Sequence, residues 1–182
     1  MKPIFLIGFM AGGKTTLGRA LAAAVPGVAF IDLDDAVEAE AGCPVAEIFA
    51  HEGESTFRRL ESEVLRRVAA DNTIVACGGG TPCRPENMDF MLGRGTVIRL
   101  DASVDVIIRR LGEARRGQRP LVDALLDRPD ALRAYIEDLM ASRECYYARA
   151  PHRFNADRLD TPGQIAEAVE KFKLQFLNTA SK

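Results

Sequence analysis

The chain has 182 residues, 47% of them apolar, enough for one α/β domain with a buried core. Its 24 basic and 26 acidic residues nearly cancel, so no general attraction to nucleic acid or to an acidic membrane is expected. No apolar run approaches the roughly 20 residues that span a bilayer, and four scattered cysteines with two histidines and no CxxC pair argue against a zinc site. A cytoplasmic monomer with free thiols is expected.

In chain order, Ile4–Ile7 reads as a buried strand and Lys14–Ala24 as a helix rich in Ala and Leu. Residues 28–31 read as a second strand, ending in the acidic loop 32–35. Val45–His51 and 56–70 look helical, 73–77 is a strand running into three glycines, and 85–92 is helical. Residues 96–100 form a strand and 104–111 a helix. Residues 112–127 are polar, rich in arginine and without a clear period. Residues 131–150 form a long helix, His152–Asn155 a last strand, and 161–176 a last helix opened by Thr161-Pro162. Strands alternating with helices predict a parallel sheet covered on both faces. Ligands then bind beyond the carboxyl ends of the strands.

Three motifs fall at those ends. Gly8-Phe9-Met10-Ala11-Gly12-Gly13-Lys14-Thr15 matches G-x-x-x-x-G-K-[ST] between a strand and a helix. Glycines let such a loop curl its N–H groups toward phosphate oxygens, and the helix adds its positive N-terminal end. Lys14 then reaches the β- and γ-phosphates, and the Thr15 hydroxyl ligates Mg²⁺. Next, Asp32 and Asp34, two residues apart, suit a metal-holding carboxylate and a group that orients or deprotonates an attacking hydroxyl. Asp35 is a candidate helix cap, and capping is the plain reading of the whole trio. Last, Gly78-Gly79-Gly80 allows a ligand to touch backbone, although a plain turn has the same composition. Arg58 and Arg59 open a helix, where a solvated face is the ordinary reading.

Taken together, these residues resemble shikimate kinase. The resemblance rests on residues 8–15, on 32–34, on Ile48-Phe49 with Phe57-Arg58-Arg59-Leu60-Glu61, on Gly78-Gly79-Gly80, on Arg119-Pro120-Leu121, and on Arg143 with Tyr147 four residues later. It implies one P-loop kinase domain over residues 1–182, of α/β class. The implied fold is three-layered, with a five-stranded parallel sheet of order 2-3-1-4-5, helices on both faces and a mobile lid near 112–126. ATP with Mg²⁺ is the implied cofactor and shikimate the implied partner, with no nucleic acid or membrane involved.

The resemblance places the nucleotide on Gly8, Ala11, Gly12, Gly13, Lys14, Thr15 and Thr16. Arg110 is implied near adenine and Arg119, on the lid, at the transferring phosphate. Thr15 and Asp32 are implied at the metal. Asp34 is implied at the shikimate hydroxyls as candidate base, Arg58 and Arg143 at its carboxylate, and Gly78, Gly79 and Gly80 beside it. Lys14, Asp34 and Arg119 carry the implied catalysis. Ala11 stands where the family usually has glycine. If φ is positive there, alanine costs roughly 1 kcal/mol. Two other functions share parts of the pattern. A polyol kinase, for example for gluconate, would leave Arg58, Arg143 and the glycine triplet unexplained. A nucleotide-binding regulator would not need Asp34 or Thr15.

Overall fold

The computed structural model describes residues 1–114 and 120–177. Strand β1 (Ile4–Ile7) is buried along its whole length. Its alternate residues face opposite ways, as a pleated strand requires. Phe5 and Ile7 join one apolar cluster, and Ile4 and Leu6 the other. β1 pairs in parallel with β3 (Thr73–Ala76) and with β4 (Thr96–Asp101). β2 (Ala29–Asp32) adds to β3 and β5 (His152–Asn155) to β4. The sheet order is β2-β3-β1-β4-β5, as the resemblance implied.

Helices cover both faces. On one side lie α1 (Lys14–Ala24) and α9 (Pro162–Phe172), whose Leu17, Leu21, Val169 and Phe172 pack on Ile4 and Leu6. On the other lie α2 (Leu33–Ala41), α3 (Val45–His51), α4 (Gly53–Val68), α5 (Pro85–Arg94), α6 (Val104–Glu113), α7 (Pro120–Asp123) and α8 (Pro129–Tyr147). Leu33, Ile48, Phe57, Met88, Ile107, Val122 and Ile136, one from each helix in that order, join Phe5 and Ile7. Among the described residues, no helix is long and apolar enough to cross a membrane.

Two expectations change. The acidic stretch 32–35, expected as a loop, is the start of α2 itself. Asp32, not Asp35, is the cap, its carboxylate accepting from the Asp34 N–H at 3.1 Å. The segment 112–127, expected without regular structure, holds the end of α6 and the short α7, while 115–119 lie outside the described residues.

The register decides where function gathers. Asp32 pairs with Ala76, and Leu6 with Ala76 from the other side. The Cys77 N–H then donates to the Leu6 carbonyl at 3.0 Å. Gly8, Asp32 and Cys77-Gly78 therefore emerge side by side at the carboxyl edge of the sheet.

Candidate active site

The loop between β1 and α1 has the backbone that its glycines permit. Gly8 has φ 141° and Gly13, the cap of α1, φ 87°. A β-carbon on Gly8 would lie 2.5 Å from the Leu100 carbonyl oxygen, so β1 and β4 leave no room for one. Ala11 has φ 54°, the left-handed region where an alanine is strained. The Lys14 ammonium donates to the carbonyls of Gly8 and Phe9 at 3.0 and 2.8 Å, curling over the loop. The Thr15 hydroxyl donates to Asp32 Oδ2 at 2.7 Å, while Asp32 Oδ1 caps α2. One carboxylate thus ties α1 to α2 across the sheet edge.

This loop lines a cavity of about 640 Å³. Ala11, Gly12, Gly13, Lys14, Thr15, Thr16, Asp32, Asp34, Arg58, Gly78, Gly79, Gly80, Arg110 and Arg143 all stand in its wall. Gly8 does not line it but sits behind, against β4, and shapes the loop through its carbonyl. Arg119, expected on the lid, lies outside the described residues. Arg110 donates to Asp160 Oδ1 at 2.8 Å and to the carbonyls of Ala156 and Ala11 at 2.9 and 3.3 Å. It fastens the segment after β5 to the phosphate loop.

The glycine triplet draws the remaining groups together. A β-carbon on Gly78 would lie 2.9 Å from Asp34 Oδ1; on Gly79, 3.1 Å from Arg143 Nη1; on Gly80, 2.5 Å from Arg58 Nη2. Two arginines from different helices therefore reach adjacent glycines, with Asp34 beside the third. Gly79 also adjoins the loop, its β-carbon position being 3.6 Å from the Met10 nitrogen. Arg143 lies over the Phe9 ring at 5.8 Å.

Burial, and after it the charges of Asp32 and Glu61, raise the Asp34 carboxyl to about 6, against the pull of Lys14 and Arg58. By surface area the residue itself remains exposed at the open cavity. A carboxylate with that proton affinity, next to a phosphate loop, is suited to take or share a hydroxyl proton near neutral pH.

Some residues gain a place that the sequence reading did not give them. Tyr147 was matched only as part of a motif, yet its hydroxyl donates to the Gly79 carbonyl at 2.7 Å. Burial raises its hydroxyl to about 12, which keeps that donor protonated. Glu61, likewise only a motif letter, is fully buried and accepts from Arg58 Nη1 at 3.0 Å. Its position three residues after Arg58 on one helix is the signal that could have paired them. Thr81, which donates to Glu61, left no mark in the sequence pattern.

Comparison with known proteins agrees with this geometry. The family model for shikimate kinase matches residues 10–173. A shikimate kinase of Bacteroides thetaiotaomicron is 40% identical over 174 residues, covering 95% of this chain and 97% of the relative. One of Symbiobacterium thermophilum is 43% identical over 172 residues, covering 93% and 95%. Among solved structures, the B. thetaiotaomicron shikimate kinase superposes with TM-score 0.89 at 38% identity, over 97% of this chain and 98% of that one. The Acinetobacter baumannii shikimate kinase in complex with shikimate gives 0.83 at 29% identity, over 100% and 96%. A sugar kinase from Janibacter shares the fold alone, at TM-score 0.56 and 18% identity. With its phosphate loop, capped acidic pair and arginine-flanked glycines in one cavity, and with relatives matching nearly end to end, the chain belongs to the shikimate kinase family.

Proposed function

We propose that the protein transfers the γ-phosphoryl group of ATP to the 3-hydroxyl of shikimate, giving 3-phosphoshikimate and ADP. The observation that carries this reading is the meeting of Arg58 and Arg143 at Gly79-Gly80, in the same cavity as the phosphate loop and Asp34. Guanidinium forks match the two oxygens of a small carboxylate, and shikimate offers a carboxylate and ring hydroxyls. Asp34 orients the acceptor hydroxyl and accepts its proton. Lys14, with the N–H groups of residues 11–16, holds charge on the β- and γ-phosphates. Arg119 is assigned to the transferring phosphate. The Thr15 hydroxyl and the Asp32 carboxylate, 2.7 Å apart, form an oxygen donor set suited to Mg²⁺. When bound, Mg²⁺ supplies positive charge at the phosphates; Thr15 holds it and Asp32 acts directly or through water.

A coupled assay of ADP release over shikimate, gluconate and a carboxylate-free analogue of shikimate tests the reading. Shikimate should be turned over and the other two poorly. Equal rates on shikimate and its carboxylate-free analogue would overturn the assignment.

A further inference from the structure

Glu61 is fully buried, and a carboxylate removed from water is tolerated only when charge and hydrogen bonds surround it. Its two oxygens are divided between two donors. Oε2 accepts from Arg58 Nη1 at 3.0 Å and Oε1 from the Thr81 hydroxyl at 2.5 Å. Thr81, also fully buried, opens the 3-10 turn Thr81–Cys83 that follows the glycine triplet. That turn is fastened from behind, because Asn87 Nδ2 on α5 donates to the Thr81 carbonyl at 3.2 Å. A hydrogen-bonded chain thus runs from α5 through the turn to Glu61 and on to Arg58. Gly78 makes room for it, since a β-carbon there would lie 3.1 Å from Glu61 Oε1 and 3.2 Å from Thr81 Oγ1.

We propose that Thr81 is a positioning residue for the acceptor: its hydroxyl fixes the Glu61 carboxylate, and Glu61 aims the Arg58 guanidinium into the cavity. The proposal rests on the assignment of Arg58 to the acceptor carboxylate made above. A second acidic partner of Arg58, Glu54, is largely exposed, with both contacts at 3.3 Å, and the Phe57 ring lies 5.0 Å under the guanidinium without fixing which way the fork turns. An exposed pair adds little restraint, because water screens it. The buried arm through Glu61 therefore sets the direction of the fork, and Thr81 is the second anchor of that arm. Replacing the hydroxyl by a methyl leaves Glu61 Oε1 buried without this donor, and the carboxylate turns toward other donors, drawing Arg58 with it. The chain ends at the acceptor and not at the phosphates. Glu61 keeps its charge near Asp34 in such a variant, so the defect should fall on acceptor binding and leave the chemical step.

The test measures kcat and KM for shikimate and for ATP in the native protein, Thr81→Val and Thr81→Ser. Thr81→Val should raise the shikimate KM about tenfold, as expected for losing a hydrogen bond to a charged group. Its kcat should stay within about twofold and its ATP KM should be unchanged. Thr81→Ser, which keeps the hydroxyl, should restore the shikimate KM to within about twofold of native. In an Arg58→Ala background, Thr81→Val should add nothing further, because the group it positions is gone. Thr81→Ala is the second variant where valine prevents folding, with the same direction of change. A folded valine or alanine variant with the native shikimate KM overturns the proposal, as does a serine variant as impaired as valine. A native protein that does not phosphorylate shikimate removes the assignment of Arg58 and this proposal with it. Normal native activity with a silent Thr81→Val removes the role of Thr81 alone.

Discussion

Asp34 stands at the first turn of α2, and its raised carboxyl follows first from burial and then from the acidic neighbours Asp32 and Glu61. The shift sets a pH signature. The free enzyme should lose kcat/KM for shikimate as pH falls below about 6, where Asp34 takes a proton and no longer accepts one from the substrate. An acid limb at the ordinary aspartate value would remove Asp34 as the titrating base. Asp34→Asn should lower kcat by about 10²- to 10⁴-fold and leave ATP binding nearly intact. Stability should move the other way. Folded Asp34 keeps its proton up to about 6, whereas an unfolded aspartate releases it near 3.8. Between those values the folded state binds more protons, so this group's contribution is present at low pH and lost as pH rises through 6. At neutral pH, Asp34→Asn should therefore raise the urea midpoint over the native protein, and the gap should shrink toward pH 4. An equal gap at both pH values would contradict the burial of the charge. That Asp34 belongs to the site could be read from a carboxylate just past a strand. That it would hold its proton to such a pH could not, because the burial that raises it comes from the tertiary fold and Glu61 arrives from a helix more than twenty residues later.

At the scale of elements, the strands and their loops were legible because apolar runs ending in glycine or aspartate have few other uses. The phosphate loop, with its strand and helix, lies where the pattern put it. Helix α2 was not legible as an element beginning at Leu33, because β2 passes into it with no intervening loop. Asp32 serves as last strand residue and helix cap at once, and a reading that expects a turn between elements finds a loop there. The C-terminal signal was present in Gly42, whose φ of 71° ends the helix. Helix α7 is four residues long, too short for a helical period to show. The loop also makes the sharpest element-level forecast. The Lys14 side chain already curls over the loop through two carbonyls. Lys14→Ala should then leave the fold native by far-UV circular dichroism and cut kcat about 10²-fold or more, since a lost charge-stabilising donor costs roughly 3–4 kcal/mol. Native turnover in a folded variant would rule out the phosphate-binding role.

At the scale of the whole molecule, the site is assembled from parts that no local window joins. Arg58 is carried by α4 and Arg143 by α8, eighty-five positions later, and only the packing of both helices on one face of the sheet brings them to neighbouring glycines. Tyr147 adds a tie of its own, holding the Gly79 carbonyl from the same helix that carries Arg143. This convergence separates the carboxylate-binding reading from a polyol kinase. If both guanidinium groups grip one carboxylate, Arg58→Ala or Arg143→Ala should raise the shikimate KM at least about tenfold, because hydrogen bonds to charged groups contribute roughly 1.5–3 kcal/mol. The ATP KM should hardly change. Arg58→Lys and Arg143→Lys should recover only part of the loss, since lysine restores charge without the planar fork. With a carboxylate-free analogue the native rate should already be low. Either alanine substitution should then change it little, because the interaction removed no longer exists. A polyol kinase behaves in the opposite way, accepting neutral polyols and tolerating both substitutions. The decisive measurement is kcat/KM for the acid and its carboxylate-free analogue on the native protein and both alanine variants. Equal losses on the two substrates would mean that the arginines support the fold of the cavity and do not hold the acid.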